Sequence, residues 1–269
     1  TDIPPSMKMS DAARKSVISC VSDFAAKGVK PKYGIISINL PKTISRSKIN
    51  QITSGFKQAC AQYNIAVLGG DTNAGKEIVF NVCLFGTADN IVTRRGSKNG
   101  DLIFVTGPFG YTSAGLSMMM GKKKGKERFV KKATSSVTNP KPRLGFSLKN
   151  KKYFSSSMDS SDGLSTTLNE MSRQSKSKLV INNIPVNRDV MDFAESQKIN
   201  LNDLVFHGGE EYEFAFTTQP KNRNRVQKNA RQSRTPIIEI GYVTDGRGVF
   251  VENEKGLICL KDLGWNHFR

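Results

Sequence analysis

The chain has no cysteine pair spaced as CxxC, only two histidines, and no apolar run long enough to cross a bilayer. Cys20, Cys60, Cys83 and Cys259 are scattered, so they read as buried reduced thiols, and a zinc site is not expected. His207 and His267 are too few for a histidine metal centre and give a Ser-His-Asp triad little support; each reads as structural. There is no P-loop and no kinase-type Gly-rich loop. Residues 1–20 carry two prolines and several charges, which excludes a signal peptide, and a cytoplasmic location follows by elimination. Acidic residues are also scarce: 23 Asp and Glu stand against 41 Lys and Arg, a formal net charge of +18.

What is present fits a folded protein. At 269 residues with 37% hydrophobic content, the chain can bury a core and make two modest domains. The basic balance invites nucleic acid as a partner. The lysines are spread out, however, and the densest run, Lys122 to Arg128, which Lys131-Lys132 follow, has no interleaved aromatics. That stretch reads as a solvated loop, and the overall positive potential would draw in anionic nucleotides. Neither nucleic acid nor membrane is expected as a partner.

Apolar periodicity predicts a helix over 11–27, capped by Ser10 and ended by Gly28. A strand over 33–40 follows, then a helix running from Ile49 to Tyr63 with Asn64 as terminator. Strands are predicted at 65–68, ending in Gly69-Gly70-Asp71, and at 78–85. The basic connector 94–100 divides the chain. Beyond it come a strand at 101–105, a Met-rich helix, a break at 139–142 opening a short helix, a helix at 163–174, a strand at 178–181 and a helix at 186–195. Strands at 212–217, 237–243 and 248–252 complete the pattern, with a polar helix at 219–233.

Against the basic background, clustered carboxylates stand out. They occur in Thr1-Asp2, Ser22-Asp23, Gly69-Gly70-Asp71-Thr72, Asp159-Ser160-Ser161-Asp162-Gly163 and Gly208-Gly209-Glu210-Glu211. Asp oxygens beside Gly-rich backbone suit Mg²⁺ holding a polyphosphate. Each motif also has a bland reading. Asp71 could cap an ordinary turn at a strand end, and Asp23 could be an exposed helical carboxylate. Ser161 or Asp162 could cap the next helix, although capping explains one of Asp159 and Asp162 and leaves the other. Strand alternation would send Glu211 and Glu213 to one face, and Glu210 and Tyr212 to the other.

Taken in order, these motifs, with Thr106-Gly107 and the terminal Gly264-Trp265-Asn266-His267-Phe268, resemble the thiamine-monophosphate kinases of the aminoimidazole ribonucleotide synthetase superfamily. The likeness spans essentially the whole chain, and Thr-Asp-Ile-Pro-Pro looks like the archaeal branch. It implies an α+β, PurM-like two-domain fold, each domain a mixed sheet with helices packed on one face. The domains would be 1–100, which also dimerises, and 101–269. The implied reaction is direct, in-line transfer of the ATP γ-phosphoryl to thiamine monophosphate, without a covalent nucleophile. Thr1, Asp2, Asp23, Asp71, Asp159 and Asp162 would hold several Mg²⁺ ions. Gly70, Asp71, Arg94 and Ser161 would contact ATP. Glu210 and Trp265 would contact thiamine monophosphate, Trp265 offering its ring face to the thiazolium cation. A homodimer is implied. Relatives in this family carry an upstream Gly-Asp-Asp segment that the sequence lacks, which predicts a depleted metal site and weak or absent activity. An aminoimidazole ribonucleotide synthetase-like enzyme is the nearest alternative, and a basic nucleic-acid-binding protein a remoter one.

Overall fold

The structure is a computed structural model that describes residues 3–266. Thr1 and Asp2, together with His267 and Phe268 of the terminal motif, lie outside the described residues.

Two mixed sheets organise the chain. The smaller is built from β1 (Tyr33–Pro41), β2 (Ala66–Gly75) and β3 (Val79–Phe85) in the order β2-β1-β3. β1 runs parallel to β2 and antiparallel to β3. α1 (Met9–Lys27) and α2 (Arg46–Tyr63) pack on it. α1 begins earlier than the Ser10 cap predicts: Lys8 holds the N-cap position without a side-chain bond, and Ser10 lies inside the helix. Its end is as expected, with Gly28 left-handed at φ 65°. Asn64 ends α2 in the same way, at φ 53°.

The larger sheet has seven strands in the order β10-β9-β6-β8-β4-β7-β5. They are β4 (Leu102–Val105), β5 (Phe154–Asp159), β6 (Lys178–Ile181), β7 (Phe214–Thr218), β8 (Ile238–Thr244), β9 (Gly248–Asn253) and β10 (Gly256–Cys259). Its helices are α3 (Tyr111–Met119), α4 (Glu127–Thr138), α5 (Leu144–Asn150), α6 (Leu164–Ser175), α7 (Arg188–Ser196) and α8 (Arg223–Gln232). On one side Leu164, Leu168 and Met171 of α6 meet Ile103, Val105, Leu179 and Ile240. On the other, Phe104, Phe214 and Phe216 pack with Phe146 of α5, Val226 of α8, and Val17, Val21 and Ala25 of α1. Both expected helix-backed sheets are therefore present, and the larger one carries helices on a second face as well. The aromatic stack is tight, with Phe104 and Phe216 ring centroids 5.4 Å apart. Sharing this core locks α1 between the two sheets, which is what carries its acidic residue to the larger sheet.

Three further local expectations change. The Gly69-Gly70-Asp71 motif does not end its strand: β2 continues to Gly75, because β1 offers a parallel partner as far as Pro41. Part of the Lys-rich stretch is helical, since Phe129, Ala133 and Val137 give α4 a buried stripe. β7 starts at Phe214, later than expected, because Glu210 and Tyr212 adopt left-handed φ of 64° and 52° that no strand accommodates. Among the described residues, no helix is long and apolar enough to cross a membrane.

Candidate functional site

Asp23 of α1 and Asp159, the last residue of β5, come together where the helix crosses the larger sheet. Neighbouring Ser22 donates its hydroxyl to Asp159 Oδ2 at 3.3 Å. Asp159 is only 5% exposed. Burial, and then the nearby Asp23 charge, hold its carboxyl well above the usual carboxylate range. Lys27, one turn beyond Asp23, feels both carboxylates and also Arg94; burial first, then Arg94, lowers its pKa.

The loop after Asp159 gathers most of the remaining candidates through its backbone. Ser161 carbonyl oxygen accepts the Glu210 N–H at 2.6 Å, and Asp162 carbonyl oxygen accepts the Trp265 N–H at 2.8 Å. Gly209 and Gly264 make these approaches possible: a Cβ on either would lie 2.6 Å or 2.2 Å from those same oxygens. Trp265 presents 62% of its surface to solvent. Asp162 is exposed and Ser161 half-buried. Ser160 is fully buried, and its hydroxyl has no hydrogen-bond partner among the described residues.

Asp71 and Gly70 lie further along β2. Asp71 is exposed and accepts from Thr72 N at 2.8 Å and from Asn73 Nδ2 at 3.0 Å. Gly70 is required by the strand pairing, since a Cβ there would sit 1.7 Å from the Ile36 carbonyl oxygen. Both residues line a cavity of about 500 Å³ that Ile36, Phe56 and Lys57 also border. Arg94 faces Glu170 of α6 at 4.0 Å, and Ser175 of that helix donates to the Arg94 carbonyl oxygen at 3.4 Å. Among the described residues, no three His, Cys, Asp or Glu side chains converge tightly enough to hold a metal ion; Asp23 and Asp159 are the pair that meets.

The Gly208–Glu213 segment divides its three carboxylates between two tasks. Glu211 and Glu213 turn inward, each 8% exposed. Glu211 accepts from Gly110 N at 2.7 Å, Thr112 N at 3.3 Å and Thr112 Oγ1 at 2.9 Å, so it caps the start of α3 from a distance. Burial pushes its pKa up to about 7 against those hydrogen bonds. Glu213 takes a forked bond from Arg143, Nε to Oε2 at 2.9 Å and Nη2 to Oε1 at 2.5 Å, and the Thr106 hydroxyl at 2.6 Å. Glu210 instead borders a second cavity, of about 730 Å³, and pairs with Lys15 of α1 at 2.8 Å. Glu210 and Tyr212 thus share one cavity wall away from Glu211 and Glu213, as strand alternation predicts, but on a twisted, non-strand backbone that also buries Tyr212. His207 Nδ1 lies 3.0 Å from Ser165 Oγ.

Lys15, Ser22, Lys27 and Ser160 are absent from the sequence-based site. One signal was available: Lys15 falls three residues from both Ala12 and Ile18, a charge on the buried stripe of α1.

Comparison with known proteins gives this arrangement a context. Residues 1–88 match the family model for the AIR synthase related protein, N-terminal domain, and residues 98–253 match the C-terminal domain. A thiamine-monophosphate kinase of Nitrosopumilus maritimus (strain SCM1) is 65% identical over 269 residues, covering 100% of this chain and 86% of that protein. The enzyme of the same name from Pyrococcus horikoshii is 31% identical, over 100% of this chain and 83% of its own. A solved structure described as AaThiL complexed with AMPPCP and TMP superposes with a TM-score of 0.87 at 30% identity, covering 98% of this chain and 82% of that one. Motif order, fold and sequence identity converge, and the chain belongs to the thiamine-monophosphate kinase family.

Proposed function

We propose that this chain transfers the γ-phosphoryl group of ATP to the phosphate of thiamine monophosphate, giving thiamine diphosphate and ADP. The observation that carries this reading is one loop, residues 159–163, joining the Asp23–Asp159 pair to the Glu210 and Trp265 segments. An oxygen of the acceptor phosphate forms the new bond to the γ-phosphorus, and the bond to the bridging oxygen of ADP breaks. The acceptor is already anionic, so no strong general base is needed. Repulsion between anions is the main obstacle, and positioning with charge neutralisation can supply most of the catalysis.

Mg²⁺ fits the residues present. The ligands are hard oxygens, and the buried Asp159 carboxylate lies against the exposed Asp23, where a cation would relieve the repulsion between them. Asp23, Asp71, Asp159 and Asp162 would hold the ions, joined by Thr1 and Asp2. When bound, Mg²⁺ supplies neutralisation of the phosphate charges. Arg94 adds a fixed positive charge for the ATP phosphates, while Gly70 and Ser161 let backbone and hydroxyl approach them. Glu210 and the Trp265 ring receive the thiamine portion, whose thiazolium is a permanent cation.

The chain divides functionally near residue 100, with the Asp159 loop completing a site begun on α1. A second copy covers the smaller sheet. What supports this is a set of exposed apolar side chains there, Tyr33, Ile35, Leu68 and Phe85, between 42% and 65% exposed.

The test is thiamine diphosphate formation from thiamine monophosphate, ATP and Mg²⁺. Product is expected from the wild type, and both D71N and D159N should abolish Mg²⁺-dependent ATP binding. A folded, ATP-binding protein that makes no thiamine diphosphate would refute the substrate assignment.

A further inference from the structure

Lys15 is 5% exposed, on a stripe of α1 otherwise made of residues such as Ala12 and Ile18. Its ammonium meets Glu210 Oε2 at 2.8 Å, 195 residues away in sequence. The carboxylate stands in front, with a side chain 27% exposed, and the ammonium stands behind, at 6%. Both border the cavity of about 730 Å³ enclosed by α1, β3 and the 208–213 segment, with Ser19, Phe80 and Tyr212 among its walls.

Stability alone does not call for this arrangement. A well-packed apolar side chain of similar volume generally serves a buried position as well as an ion pair does. The backbone around Glu210 is also held by other means, through the Glu210 N–H on Ser161 O and the Tyr212 N–H on Ser160 O at 3.2 Å. Those bonds maintain two left-handed residues, φ 64° and 52°, that are costly for non-glycine side chains. The chain therefore maintains strain to set the Glu210 backbone and buries a charge to set its side chain.

We infer that Lys15 is a positioning residue for the acceptor site, fixing the Glu210 carboxylate at the cavity wall where the thiamine cation is received. This rests on the reading that Glu210 contacts thiamine monophosphate. Lys15 is also a like charge near a cationic ligand, so its two effects oppose each other. Orientation outweighs repulsion because an unanchored carboxylate, already partly exposed, gains hydration by turning out of the cavity.

The experiment is steady-state kinetics on full-length protein carrying K15M, E210Q or both, with thermal unfolding of each. K15M should raise KM for thiamine monophosphate by about 10-fold or more, the scale of one lost charge-assisted hydrogen bond, and leave KM for ATP within about twofold. In the E210Q background K15M should change KM for thiamine monophosphate by less than about twofold, because Lys15 acts through Glu210. An unchanged or lower KM in K15M, or full additivity in the double variant, overturns the inference. If K15M does not fold, K15Q, which removes the charge while its amide NH2 still donates, should raise KM for thiamine monophosphate in the same direction by a smaller factor. Failure of both to fold makes Lys15 a folding residue and also overturns it. Wild-type protein that binds ATP but makes no thiamine diphosphate sinks the substrate reading itself, and the Lys15 role falls with it. A normal wild type beside a normal K15M sinks the Lys15 role alone.

Discussion

Replacing Arg143 by Met tests how the Glu213 end of the acidic segment is held. Arg143 and Glu213 have side chains only 19% and 11% exposed, and the guanidinium grips both carboxylate oxygens. The pair joins the start of α5 to the entry of β7, and Thr106 at the end of β4 adds its hydroxyl. Glu213 carbonyl oxygen in turn accepts the Ser160 N–H at 2.8 Å, so the pair braces the loop carrying Asp159 and Asp162. Burial already raises the Glu213 pKa despite Arg143, which lowers it. Without the guanidinium the carboxylate keeps the Thr106 hydroxyl and loses its counter-charge. Breaking a buried pair by removing one partner costs about 3–5 kcal/mol. For a chain of this size that is a fall in Tm of roughly 6–12 °C. The fall should shrink toward acidic pH, where Glu213 takes a proton and the stranded charge disappears. The double variant R143M/E213M, with two apolar side chains filling the same space, should recover most of the loss. Circular dichroism melts of wild type, R143M and the double variant decide the matter. An R143M melt within about 2 °C of wild type, or a double variant less stable than the single, would refute the reasoning.

Two further substitutions probe the frame of the site. E211Q mimics a protonated Glu211. The folded pKa of Glu211 is raised to about 7 from 4.5, so its contribution to stability is complete below 4.5 and lost as pH rises through 7. That shift is worth about 3 kcal/mol, so E211Q should gain on wild type by a comparable amount as pH rises from about 4.5 to about 7, and level off above it. A stability difference flat across that window would show that the hydrogen bonds at the start of α3 keep Glu211 ionised. G70A places a Cβ 1.7 Å from the Ile36 carbonyl oxygen, whereas a Cβ on Gly69 meets nothing within 4 Å. G70A should therefore cost about 1–3 kcal/mol in denaturant titration while G69A is nearly silent. Equal effects would mean that β1 and β2 are not paired in this register.

Much of the local structure was legible in the sequence because it rests on short-range chemistry. Gly28 and Asn64 end helices in left-handed geometry, and the apolar periodicity of α1, α2 and α6 marks the faces they bury. The order of the acidic motifs pointed to the family before any contact was known. Other features needed the tertiary fold. Gly69-Gly70-Asp71 looks like the end of a strand, and only β1 lying alongside makes it strand. β5 went unread because its Ser-rich sequence acquires a ladder only by pairing with β7. The Lys-rich run hides the first turns of α4, whose stripe has meaning only against the Phe193 cluster. The pairing of Asp23 with Asp159, the Arg143–Glu213 fork and the burial of Lys15 all join residues distant in sequence. Propensity and periodicity report what a segment does with its neighbours in sequence. Which charges end up buried together depends on α1 being locked between two sheets, and that is settled by the packing of the shared core.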